Sequence, residues 1–189
     1  MNRKMSSITS AFEKMKRKNF LPDDLKPEAV IDAPLPIGFG QTNSQPTTVR
    51  MMLEWLEPEP GNKILDVGAG SGWTTALLAH IVGPKGKVYA VEKVPELLEF
   101  GRENAKRARV KNAEFFRAGK VFGLPRHAPY DRILVSAAAQ ELPNELLKQL
   151  KVGGKLVIPV QYDVLEIEKT GTEKYEIFTH HGFSFVPLV

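Results

Sequence analysis

The sequence predicts an α/β fold built on a doubly wound, mostly parallel sheet, with antiparallel strands added at the C-terminal edge and a helical appendage at the N-terminus. Three observations lead there. Between Lys63 and Val160 short apolar runs alternate with helix-period stretches, the pattern of successive βαβ units with helices on both faces of the sheet. Within that region Ile64-Leu65-Asp66-Val67 runs straight into Gly68-Ala69-Gly70-Ser71-Gly72, a buried strand feeding a glycine-rich turn. Beyond residue 160 the pattern changes to short β segments with no helix between them.

Each element follows from its residues. Ile8, Phe12 and Met15 fall at helical spacing and predict an amphipathic helix over residues 7–18, docked by its apolar stripe. Pro22, Pro27, Pro34, Pro36 and Pro46, with Gly38 and Gly40, forbid a long regular element over 21–46. The apolar content of that stretch (Val30, Ile31, Leu35, Ile37, Phe39) predicts an ordered, functional loop. A helix is expected over 47–56, then a strand at 63–67, a helix at 72–82, a strand at 87–91 and a helix at 95–109. Strands at 113–116 and 131–135, a helix at 141–150 and a strand at 154–160 complete the core, with Gly153-Gly154 turning into the last strand. Segments 164–167, 175–178 and 183–186 read as β additions at one edge. The whole chain is thus expected to form one domain: residues 1–46 a helix and ligand loop, 47–160 the core, and 161–189 the terminal β segments.

Composition narrows the function classes. A chain of 189 residues, 42% hydrophobic and 25% charged, can bury a substantial core. No apolar run approaches the roughly 18 residues of a membrane span, and Arg3 and Lys4 lack an apolar stretch behind them, so no secretory signal and no membrane partner are expected. Cysteine is absent, which excludes disulfides and thiol chemistry and accords with a cytoplasmic monomer. The net charge of +4 is concentrated at the start: residues 1–18 hold six basic side chains against Glu13, leaving the remainder at −1. The basic cluster reads as a solvated helical face, with a patch for an acidic partner as its rival. A nearly neutral body does not predict a nucleic-acid partner. His80, His127, His180 and His181 show no ligand spacing, so no metal is expected.

The glycine turn carries the chemistry. Gly68, Gly70 and Gly72 let a ligand approach the backbone at the start of the next helix. Trp73 stands where a dinucleotide fingerprint needs its third glycine, which demotes nicotinamide cofactors. Strand Val88-Tyr89-Ala90-Val91 ends at Glu92, about 20 residues beyond the turn, where a carboxylate can accept from both ribose hydroxyls. This combination is the pattern of an S-adenosylmethionine site in a Rossmann-like, class I methyltransferase core. Asp66, Ala69 and Lys93 belong to the expected donor site with the glycines and Glu92, although a turn acid at Asp66 and a helix-start acid at Glu92 are the plainer alternatives. Trp73 and Phe115-Phe116 read as core more than as adenine platforms.

Upstream, Pro34-Leu35-Pro36-Ile37-Gly38-Phe39-Gly40-Gln41-Thr42-Asn43-Ser44-Gln45-Pro46 resembles the signature loop of the protein-L-isoaspartate O-methyltransferase family. Further segments agree in order: Ala11-Phe12, Asn19-Phe20-Leu21-Pro22, Ala128-Pro129-Tyr130-Asp131, Ser136-Ala137-Ala138-Ala139, Gln149 to Gly154, Ile158-Pro159-Val160 and Phe185-Val186-Pro187-Leu188. The resemblance implies methyl transfer from S-adenosyl-L-methionine, leaving S-adenosyl-L-homocysteine, to the free carboxylate of isoaspartyl residues in damaged peptides and proteins. It implies that the active-site serine is Ser44, assisted by Thr42. Gln41 and Thr42 would lie between donor and acceptor, and Val186-Pro187-Leu188 would close a peptide groove.

Alternatives stay open at this level. Ser44 could cap the following helix. The substrate could be another aspartyl peptide, and a relative that binds the donor without turnover is a third reading. The Ala118-Gly119-Lys120 stretch replaces the family's usual Gly-Asp-Gly, whose aspartate accepts from the adenine amino group; Gly119 predicts a loss of about 1–3 kcal/mol in donor affinity unless a backbone carbonyl substitutes. Thr47 and Gln161 also stand where the family favours an aromatic or histidine and a glycine.

Overall fold

The computed structural model describes residues 6–188, so Arg3 and Lys4 of the basic cluster lie outside the described residues. Its main sheet has seven strands: β3 (Lys63–Val67), β4 (Lys87–Glu92), β5 (Ala113–Arg117), β6 (Tyr130–Val135), β7 (Leu150–Val160), β8 (Asp163–Gly171) and β9 (Lys174–His181), in spatial order β5-β4-β3-β6-β7-β8-β9. Strands β3 to β7 pair in parallel, and β8 and β9 add antiparallel, as expected. The chain order reverses between β3 and β6, so ligand space opens at the carboxyl ends of those strands. A separate antiparallel hairpin, β1 (Leu35–Gly38) and β2 (Gln41–Asn43), lies in the stretch expected to be irregular, after a 3₁₀ segment at Asp23–Val30.

Among the described residues there are five α-helices, α1 (Ser7–Lys14), α2 (Pro46–Leu56), α3 (Trp73–Val82), α4 (Pro95–Arg107) and α5 (Asn144–Gln149), of which α1 packs on α3 and α2. Helix α3 is apolar nearly all round and is correspondingly the buried centre of one face, where Leu77 and Leu78 meet Ile64, Val88 and Leu134. The other face is packed by Leu146, Leu147 and Tyr130 against Leu65, Ile133 and Leu156.

Several boundaries differ from expectation, four of them for an evident local reason. Helix α1 stops at Lys14 rather than 18, because the Trp73 indole N–H donates to the Met15 carbonyl at 2.8 Å and Arg17 turns inward. Helix α5 starts only at Asn144, after Pro143. Gly153, at φ +80, shifts the register inside a longer β7 instead of preceding it. Residues 183–186 form no strand: the tail instead makes a parallel bridge between Pro187 and Ala138, with Ala138 N–H donating to Val186 O and Leu188 N–H to Ala138 O, both at 2.8 Å. Gln161 takes φ +54, the left-handed conformation that explains the usual glycine there.

Candidate active site

At the carboxyl ends of β3, β4 and β6 lies a cavity of about 380 Å³, within the range of small-ligand sites. Its floor is the glycine turn. Gly68 and Ala69 donate their N–H groups to Val91 O at 2.9 and 3.1 Å, which ties the turn to the neighbouring strand. Gly70, at φ +51, leaves space that a Cβ would fill to within 3.1 Å of Ile37 Cδ1. Gly72, at φ +81, begins α3 and passes so close to α4 that a Cβ would stand 2.8 Å from Gly101 O.

Glu92 braces this floor from β4. One carboxylate oxygen accepts the Gly70 N–H at 2.8 Å, and the other accepts Lys93 and Val94 N–H groups at 2.8 and 3.0 Å. Each carboxylate oxygen has two acceptor sites, so the oxygen facing Gly70 retains one for a hydroxyl. Asp66 sits deeper, fully buried, where one oxygen accepts Thr74 and Thr75 hydroxyls at 2.9 and 2.6 Å. Its other oxygen has no partner among the described residues. Burial pushes the Asp66 carboxyl up to about 6, against the pull of the two threonine hydroxyls.

The hairpin supplies the opposite wall through Gln41, Thr42, Asn43 and Ser44. The rival role for Ser44 is not taken up: the residue before α2 is Gln45, which makes no side-chain cap bond. Asp32 reaches across to the helix start instead, accepting Thr47 N–H at 2.9 Å and Thr47 Oγ1 at 2.7 Å. Three hydrogen bonds, from the Thr47 hydroxyl, the Thr47 backbone N–H and the Gln45 side-chain amide, keep its own carboxyl below the usual aspartate range.

The remaining rim comes from Lys93, from the 118–123 loop including Gly119, from Ser136 and Ala137, and from Val186, Pro187 and Leu188. Gln149 pins the loop by accepting Leu124 N–H at 2.8 Å and donating to Phe122 O at 2.8 Å. Thus Gln41, Thr42, Ser44, Gly68, Ala69, Gly70, Glu92, Lys93, Gly119, Val186, Pro187 and Leu188 meet around one space. Asp66 and Gly72 do not reach the wall and support it from behind. Trp73 joins the buried core beside Phe12 and also touches the cavity, whereas Phe116 packs with Tyr89.

Sequence reasoning missed four residues. Arg17, from the cluster read as a solvated face, is buried. Its Nε donates to Asn43 Oδ1 at 2.7 Å, and Asn43 Nδ2 in turn donates to Ser71 Oγ of the glycine turn at 3.0 Å. Asn104 Nδ2 donates to Ser71 O at 3.0 Å from α4. Asn43 and Ser71 lie within the signature loop and the glycine turn, and Gly101, a glycine inside a helical run, marks where α4 approaches that turn; no sequence signal points to Arg17.

Among the described residues no group of three His, Cys, Asp or Glu side chains is placed to hold a metal, and no helix is long and apolar enough to cross a membrane. The doubly wound sheet, its reversal point and the braced glycine turn define a class I S-adenosylmethionine-dependent methyltransferase fold. Within that class the chain belongs to the protein-L-isoaspartate(D-aspartate) O-methyltransferase family, whose sequence model matches residues 2–189. It is 45% identical to the protein-L-isoaspartate O-methyltransferase of Methanopyrus kandleri over 96% of this chain and 83% of that one. Identity to the Pyrococcus horikoshii enzyme is 44%, over 98% of this chain and 86% of the relative. A solved protein-L-isoaspartate O-methyltransferase superposes with a TM-score of 0.86 at 25% identity over 97% of this chain, which spans 61% of that longer chain. A Plasmodium falciparum structure of the same family name, in complex with S-adenosyl-L-homocysteine, superposes with a TM-score of 0.85 at 25% identity, covering 99% of this chain and 92% of that one.

Proposed function

We propose that this chain transfers a methyl group from S-adenosyl-L-methionine to the free carboxylate of isoaspartyl residues in damaged peptides and proteins, a repair activity. The observation that carries the reading is the meeting, in one cavity, of a glycine turn braced by Glu92 with the hairpin arm bearing Ser44. The residues present fit the donor. Gly68, Ala69 and Gly70 form a cradle a side chain would fill, Glu92 keeps a free acceptor site for a ribose hydroxyl, and Lys93, Gln41 and Gly119 bound the rest. Gly119 offers only backbone to an adenine edge. Asp66 and Gly72 act indirectly, by fixing the start of α3.

When bound, the donor supplies an electrophilic methyl group on a sulfonium. The substrate carboxylate is ionised at neutral pH and needs no general base. What the chain must do is position. Ser44 and Thr42 can hold one carboxylate oxygen and leave the other free to attack, and fixing that geometry is worth up to about 7–11 kcal/mol. Carbon–oxygen bond formation accompanies carbon–sulfur cleavage, and no proton moves. The backbone nitrogen of the next residue then displaces methanol from the ester to close a succinimide; water opens that ring to either the normal or the isoaspartyl linkage, and repeated cycles return the backbone to the normal one. Val186, Pro187 and Leu188, fastened to Ala138, form the side of the cavity against which a substrate backbone would lie.

The reading includes action as a monomer on cytoplasmic proteins, not on nucleic acid, supported by a cysteine-free chain whose basic cluster loses Arg17 to the interior. The test is labelled methyl transfer to two peptides differing only in Asp or isoAsp linkage, with calorimetric titration of S-adenosyl-L-homocysteine alongside. Transfer to the isoAsp peptide alone is expected. Equal transfer to both, or saturable binding without transfer, overturns the reading.

A further inference from the structure

The guanidinium of Arg17 is buried, yet among the described residues it forms no ion pair with a carboxylate. Its five acceptors are neutral: Asn43 Oδ1 at 2.7 Å from Nε, Ile31 O at 2.9 Å from Nη1, and Ala33 O, Asn43 O and Ser44 O at 2.7, 3.0 and 3.1 Å from Nη2. Burial lowers its pKa, with the charge of Asp32, which stands between Ile31 and Ala33, pulling the other way. Burying an ion is a poor device for stability alone, since desolvation offsets most of what the contacts gain. The acceptors are also not scattered. They are carbonyls of the strand-entry segment and of the two residues that end the acceptor arm.

In a trans peptide the C=O and the following N–H point in opposite directions. With Asn43 O and Ser44 O turned to the guanidinium, the N–H groups of Ser44 and Gln45 are turned away from it. Among the described residues neither of those N–H groups meets an acceptor. Ser44 itself lines the cavity. We propose that Arg17 is the positioning residue of the acceptor arm: it sets the two peptide planes after Asn43 and Ser44 so that the Ser44 hydroxyl and N–H are held ready for the substrate carboxylate. The proposal rests on the methyl-transfer reading above.

Two features suit this task. A guanidinium paired directly with the substrate carboxylate would stabilise the ground-state nucleophile and slow its attack. Arg17 avoids this, because its donors are taken up by neutral oxygens and act on the arm alone. The same side chain also joins acceptor to donor, since Asn43 passes the contact from Arg17 Nε to Ser71 Oγ in the glycine turn. The arm therefore keeps its register with the donor cradle through three buried side chains.

The experiment measures kcat and KM for an isoaspartyl peptide, and Kd for S-adenosyl-L-homocysteine, in wild type, Arg17→Lys and Asn43→Ala. Lysine keeps the charge and loses the planar fork. Arg17→Lys is expected to lower kcat about a hundredfold, the scale of an ångström misplacement, with Kd for the homocysteine product unchanged. Asn43→Ala, which leaves the carbonyl contacts of Arg17 in place, is expected to lower kcat about tenfold with Kd again unchanged. Wild-type kcat in Arg17→Lys overturns the proposal, as does a loss of product binding in step with kcat, which a merely structural role would give. Should Arg17→Lys be recovered unfolded, Asn43→Ala decides by the same two criteria. Failure of the parent reading is distinct: wild type itself would then show no transfer to the isoaspartyl peptide.

Discussion

Glu92 Oε2 accepts the Gly70 N–H at 2.8 Å, so the acid at the end of β4 shapes the glycine turn. Its other oxygen is occupied by Lys93 and Val94 N–H groups, which fixes the carboxylate in one orientation. Glu92→Ala removes both the bracing and the acceptor for a ribose hydroxyl. With hydrogen bonds to a charged group worth about 1.5–3 kcal/mol, S-adenosyl-L-homocysteine should bind roughly 10- to 150-fold more weakly in a calorimetric titration. An unchanged Kd would remove Glu92 from the donor site.

Ser44→Ala separates the two halves of the cavity. The serine makes no cap bond to α2, whose start is held by Asp32, so thermal stability should move by no more than about 0.5 kcal/mol. Loss of one positioning donor should lower kcat on an isoaspartyl peptide about 10²-fold or more, with product binding intact. Wild-type turnover would exclude the hydroxyl from the reaction.

Gly101→Ala should destabilise although alanine favours helix by about 1 kcal/mol. Residue 101 lies inside α4, and a Cβ there would stand 2.7 Å from Gly70 O and 3.2 Å from Gly72 N. Those are backbone atoms of the donor cradle and cannot swing aside. The expected result is a net loss of about 1–3 kcal/mol by chemical denaturation together with weaker product binding. A stabilised variant would show that the turn shifts freely.

The residues that could be read from the chain are those whose partners are near in sequence. Ile64 to Gly72 specifies strand, turn and helix start by its own order, and Glu92 follows from the spacing of one βαβ unit. Arg17 could not be read, because lysines on both sides give it the look of a solvated face while its acceptors lie 14–27 residues downstream. The same holds for the end of α1, set by an indole 58 residues away, and for the tail, where hydrogen bonds to Ala138 override the β propensity of residues 183–186.

The fully buried Asp66 makes stability depend on pH in a direction opposite to that of most carboxylates. Its folded value, about 6, lies above the ordinary aspartate value, so between about pH 4 and 6 the folded state binds the extra proton. The contribution is therefore fully present below about pH 4 and is lost as pH rises through 6. A shift of this size corresponds to about 3 kcal/mol at neutral pH. Asp66→Asn has no charge to bury and keeps an oxygen for Thr74 and Thr75. Whatever its absolute stability, the variant should gain on wild type by up to about 3 kcal/mol between pH 4 and pH 7, then run parallel to it. Urea denaturation of both proteins across that interval measures the difference directly. A difference that does not vary with pH would mean that Asp66 keeps its charge in the folded protein, with the oxygen left unpartnered by protein solvated instead.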